Sequence, residues 1–94
     1  MAAYAMVRID VHDPEEYGKY VPLAGAAVAK YGGEFLARGG QAVQMEGEGR
    51  SRNVLIRFKD FESAKAFYDS PEYQEALKYA LPASTRDYVI VEGV

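Results

Sequence analysis

His12 is the only imidazole in the chain. Imidazole gains and loses a proton near neutral pH, so a His at the mouth of a cavity can act as a general base. Asp10 and Arg8 precede it at two-residue steps. In an extended segment these three side chains share one face. Arg38 stands directly before Gly39-Gly40. Its planar guanidinium fork suits a carboxylate or an enolate oxygen. Arg38, His12 and Asp10 are therefore the candidate catalytic residues: a fork for oxyanion charge, a base, and an acid that could work with Glu92. Tyr is abundant, 8 against 4 Phe and no Trp. A Tyr ring offers an apolar wall with a polar tip, which suits a flat aromatic ligand. Tyr4, Tyr31, Tyr68 and Tyr88, with Arg8, are the candidate substrate-binding residues. Each has a plainer alternative. His12 fits an exposed strand-to-helix junction. The acids fit as neutralising partners of the arginines, and the tyrosines as core or interface packing. Ser70 precedes Pro71-Glu72 and reads as a helix cap, not a nucleophile. No GxSxG elbow, GxGxxG loop or Walker loop occurs.

The elements that position these residues follow from periodicity and punctuation. Residues 3–11 alternate as a strand. Asp13-Pro14-Glu15-Glu16 starts a helix with a cap and a first-turn Pro. Tyr17, Tyr20, Val21, Ala24, Val28 and Tyr31 continue it at helical spacing. Gly32-Gly33 ends it. Glu34 to Arg38 is a second strand, interrupted at Gly39-Gly40 and resumed over 41–46. Residues 47–51 form a hairpin loop, and Arg52 to Phe58 a third strand. Asp60 caps a second helix that breaks and restarts at Ser70-Pro71 and stops at Pro82. Arg86 to Glu92 is the last strand. The order β-α-β-β-α-β predicts an α+β, ferredoxin-like domain over residues 1–94, with a four-stranded antiparallel sheet and two helices on one face.

Parity divides the sheet. The face under the helices should hold Val7, Ile9, Phe35, Val54, Ile56, Phe58, Val89 and Val91. The other should hold Tyr4, Met6, Arg8, Asp10, Leu36, Arg38, Leu55, Arg57, Tyr88, Ile90 and Glu92. This second set is too apolar for a solvent face and too charged for a plain core. It suits packing against a second copy of the chain around a semi-polar cavity.

Composition removes several alternatives. A chain of 94 residues supports one small domain. With no Cys there is no disulfide, thiol nucleophile or cysteine metal site. A single His excludes a multi-histidine metal cluster within one chain, and no motif calls for an organic cofactor. A net charge of −3 argues against nucleic acid as partner. The N-terminus lacks the features of a signal peptide, and no apolar run approaches the ~20 residues that span a bilayer. A cytoplasmic protein is the expectation.

Several stretches carry a further signal. Lys30-Tyr31-Gly32-Gly33-Glu34-Phe35-Leu36-Ala37-Arg38-Gly39-Gly40, then Glu46-Gly47, Arg52-Asn53-Val54, Phe67-Tyr68-Asp69-Ser70-Pro71-Glu72-Tyr73-Gln74 and Val91-Glu92-Gly93 resemble the family known as domain of unknown function 1330. The resemblance covers nearly the whole chain. It implies the dimeric α/β-barrel superfamily, in which two ferredoxin-like sheets pack face to face. That superfamily includes cofactor-independent quinol monooxygenases, muconolactone isomerases, haem-degrading enzymes and ligand-sensing domains. The resulting expectation is a homodimer with a semi-polar pocket between sheet and helices, which binds a small aromatic, enolisable or carboxylate compound and isomerises or oxygenates it without a cofactor. The alternatives are a non-catalytic small-molecule binder and a purely structural dimer.

Overall fold

The computed structural model describes all residues, 1–94. Its elements are β1 (Ala3–Val11), α1 (Pro14–Lys30), β2 (Glu34–Arg38), β3 (Arg52–Phe58), α2 (Phe61–Asp69), α3 (Pro71–Ala83) and β4 (Ser84–Glu92). The strands form one sheet in the order β2-β3-β1-β4, every pair antiparallel. The helices cover one face, and the core lies between the layers around Val7, Ile9, Ile56, Phe58, Phe67, Tyr73 and Leu77. This is the ferredoxin-like plan.

Local chemistry sets the boundaries. The side chains of Asp13, Asp60 and Ser70 accept from the backbone N–H of Glu16, Ser63 and Tyr73, at 3.2, 2.8 and 3.2 Å, and so cap the three helices. Gly32 takes φ of 74° just past α1, a left-handed turn that costs Gly little.

Four details differ from the reading of the sequence. First, β2 does not resume over 41–46. Gly39 turns at φ of 70°, and its N–H donates to Asn53 O at 2.9 Å. Beyond it β3 offers no partner, because residues 50 and 51 are drawn to Asp10 on β1 instead. Second, α3 passes through Pro82 to Ala83. The ring sits in the last turn, where it removes only one hydrogen bond, and Ala83 O accepts from the N–H groups of His12 and Asp13.

Third, β4 presents the opposite parity. Tyr88 lies opposite Val7, and Ile90 opposite Ala5, so both face the helices. Val89 and Val91 stand on the open face, 54% and 43% exposed. The run Tyr88-Val89-Ile90-Val91 is apolar at every position, so alternation alone could not choose its face. Fourth, a register shift between Phe35 and Ala37 places Arg38 opposite Val54. Such a bulge adds one residue to one strand and inverts the faces beyond it. Arg38 therefore belongs to the helix-covered side.

Candidate functional site

The bulge brings Arg38 to a cleft between the sheet and α1. Arg52 and Arg86 reach the same cleft from β3 and β4, each directly opposite Ile9 on β1. Tyr17 and Tyr20 of α1 and Tyr73 of α3 close it from above, and Val7, Ile9, Val54 and Ile56 form its floor. The cleft is narrow and partly open, with a cavity volume of about 30 Å3.

Each arginine is held differently. The Arg38 guanidinium lies 4.1 Å over the Phe35 ring and packs on Gly25, where an added Cβ would come within 3.1 Å of its Nη2. Arg52 packs against Gly39, so any side chain there would collide with it. Arg86 Nη2 donates to Tyr20 Oη at 3.0 Å and Tyr73 Oη at 3.2 Å, and the two hydroxyls are 2.8 Å apart. The ion pairs of the chain involve Lys19, Lys30, Arg50 and Lys78. None involves Arg38, Arg52 or Arg86, and no Asp, Glu, His or Lys lines the cleft.

The tyrosines stay protonated. Burial pushes the Tyr20 hydroxyl far above the ordinary phenol range, with Tyr73 adding to the effect, and burial likewise raises Tyr17 and Tyr73. Burial opposes the charge on Arg86, but the Tyr20 and Tyr73 hydroxyls outweigh it and hold its pKa above the ordinary value. The cleft thus carries three fixed positive charges and neutral hydroxyl donors at any physiological pH.

Of the residues singled out in the sequence, only Arg38 lines this cleft, and from the opposite face to the one expected. Asp10 points to the open face. Its carboxylate accepts from Ser51 N–H at 2.9 Å and Arg50 Nη1 at 3.0 Å. These bonds, the Ser51 N–H foremost, keep its pKa below the usual carboxylate range. It cannot work with Glu92. Asp10 pairs with Thr85 and Glu92 with Ala3, at opposite ends of the sheet. His12 is exposed at the junction of β1 and α1, outside the cleft. Tyr4 and Arg8 lie on the open face, where Arg8 donates to Gln44 at 3.4 Å. Tyr31 donates to Glu72 at 2.8 Å and ties the end of α1 to the start of α3. Tyr68 packs edge-on against Tyr88 at 4.9 Å, and the Tyr88 hydroxyl is buried with no partner in the chain.

Arg52, Arg86, Tyr20 and Tyr73 carry the site and were not assigned to it from the sequence. Arg52 shares parity with Val54, Ile56 and Phe58, and that parity is the signal by which it could have been found. Arg86 shares parity with Tyr88, and the inverted face of β4 hid it.

Comparison with known proteins fixes the family. The chain matches the model of Domain of unknown function (DUF1330) over residues 2–94. It belongs to the DUF1330 family. No curated protein matches it. Among solved structures, this DUF1330 chain is similar to a protein of unknown function from Rhodopseudomonas palustris, at 14% identity and TM-score 0.79, covering 99% of this chain and 82% of that one. It is similar to a dimeric ferredoxin-like protein of unknown function from a Jannaschia species, at 14% identity and TM-score 0.79, covering 99% and 100%. It is also similar to SnoaB, a cofactor-independent oxygenase from Streptomyces nogalater, at 16% identity and TM-score 0.68, covering 99% and 93%. At such identities the likeness establishes the fold of the DUF1330 chain, not its chemistry.

Proposed function

We propose that the chain works as a homodimer, paired through the open sheet face, and oxygenates a small enolisable, aromatic or carboxylate compound in the cleft without an organic cofactor. The observation that carries this is the set of three arginines in the cleft with no acid to neutralise them. Fixed cations in a partly desolvated site stabilise oxyanion charge more than water does. They also favour the ionised form of an enol bound beside them. Such an enolate supplies the electrons for its own oxygenation. Its carbon forms a bond to dioxygen, the O–O bond breaks, one oxygen remains as a carbonyl and the other leaves as water. A CH2 group becomes C=O, and dioxygen is the only oxidant. Isomerisation is a poorer fit, because moving a proton between carbons calls for a protein base that the lining lacks. The oxygenase SnoaB supports the reading through its shared fold. The exposed apolar stripe of Met6, Leu36, Val89 and Val91 and the dimeric Jannaschia neighbour support the pairing.

A second reading, a non-catalytic binder of the same compounds, draws on the same lack of a base. Native mass spectrometry of the protein as purified tests both. The expected result is a two-chain species carrying a small acidic molecule. A single chain with nothing bound would contradict both readings, and an empty dimer would favour a purely structural role.

A further inference from the structure

The cleft has an excess of hydrogen-bond donors. Arg52 Nε and Arg86 Nε are buried with no partner in the chain. Arg86 Nη2 already serves both Tyr20 and Tyr73, and those hydroxyls share one proton between them. The other hydroxyl proton is left to donate. Arg52, Arg86, Tyr20 and Tyr73 all line the cavity, and the lining holds no carboxylate or amide side chain to accept from them. A neutral amide or alcohol brings donors of its own. A carboxylate brings only acceptors. The cavity is small, about 30 Å3, so it suits a head group and not a whole ligand.

We infer that the ligand is anchored by a carboxylate set between Arg52 and Arg86, with its body lying toward Arg38 and Phe35. Arg52 and Arg86 flank Ile9 on adjacent strands, so their side chains stand about 10 Å apart at the backbone and can converge on one head group. Arg38 is exposed, and its guanidinium and the Phe35 ring stack at 4.1 Å. This offers a flat cationic and apolar surface at the rim of the cleft, where the rest of the molecule can lie. The inference rests on the cleft being the ligand site and adds which group enters it and in which direction.

Benzoate and its neutral isostere benzamide are the probes, followed by NMR of the arginine Nε–H signals. Benzoate should move the Arg52 and Arg86 signals saturably, and benzamide should not. Arg52→Gln should weaken benzoate at least about tenfold, as expected for a lost charge-assisted bond. If that variant does not fold, Arg52→Lys keeps the charge, lacks the fork, and should still weaken binding. Equal binding of benzamide, or benzoate binding that leaves both Nε–H signals unmoved, would overturn the inference. The two readings fail separately. Turnover of neutral enols that benzoate does not inhibit would leave the proposed oxygenase standing without this anchor. Benzoate bound at both arginines, with no enol turned over, would leave the anchor standing without the oxygenase.

Discussion

Glu72 shows how one carboxylate joins two helices. Lys30 foremost, and then Tyr31, bond its oxygens across the gap from α1 to α3. They hold its pKa down to about 2 from an ordinary 4.5. A carboxylate depressed in the folded state contributes stability above its unfolded pKa and loses it as pH falls toward the folded value. Wild type should therefore melt above Glu72→Gln at neutral pH, and the gap should narrow below about pH 4.5 and close near pH 2. Thermal melts across that range check this; a gap independent of pH would refute it. Ser70 is the simpler case. It caps α3 while buried, and its hydroxyl also donates to Phe67 O at 2.7 Å. Its type and its place before Pro71-Glu72 together marked it as a cap. Arg38 was recognisable for the same kind of reason, its fork beside a Gly pair, although its face was not.

Elements decide what residues can reach. The bulge in β2 moves Arg38 from one side of the sheet to the other without changing any residue type. Gly39 keeps the end of that strand compatible with Arg52 by turning at φ of 70° and leaving room for the guanidinium. Gly39→Ala should cost about 1–3 kcal/mol from the strained backbone alone, with the displaced Arg52 adding to it. Urea unfolding measures this, and a neutral effect would remove Gly39 from the site. Strands, helices and their order were legible because caps, Gly pairs and alternation all agreed. The bulge was not, since one inserted residue leaves no compositional mark. The face of β4 was not either, because four apolar residues in a row satisfy both registers. Those two gaps explain why Arg86 was missed and Arg38 misplaced, while the tyrosines of α1 were read correctly as one helical face.

At the scale of the molecule, charge and shape are divided between two faces. The chain is net negative, at −3, yet its cleft gathers three arginines and no acid. Positive charge is therefore gathered locally, against the sign of the chain as a whole. The open face is apolar along its middle, where Met6 lies between Leu55 and Val89 on the flanking strands. The inverted face of β4 strengthens this stripe, because it exchanges Tyr88 and Ile90 for two exposed valines. If a second copy covers the stripe, Val89→Lys places a charge at its centre and should yield monomers by sedimentation velocity, with the secondary structure retained. An unchanged dimer would move the interface elsewhere. The cleft lies on the other side of the sheet, so its chemistry can be tested in the intact assembly. The most direct test follows oxygen uptake by the protein, freed of metals and flavins, on quinols and acidic enols. The account predicts turnover that Arg38→Ala abolishes while the dimer and its melting temperature persist. Turnover that survives Arg38→Ala unchanged would contradict it.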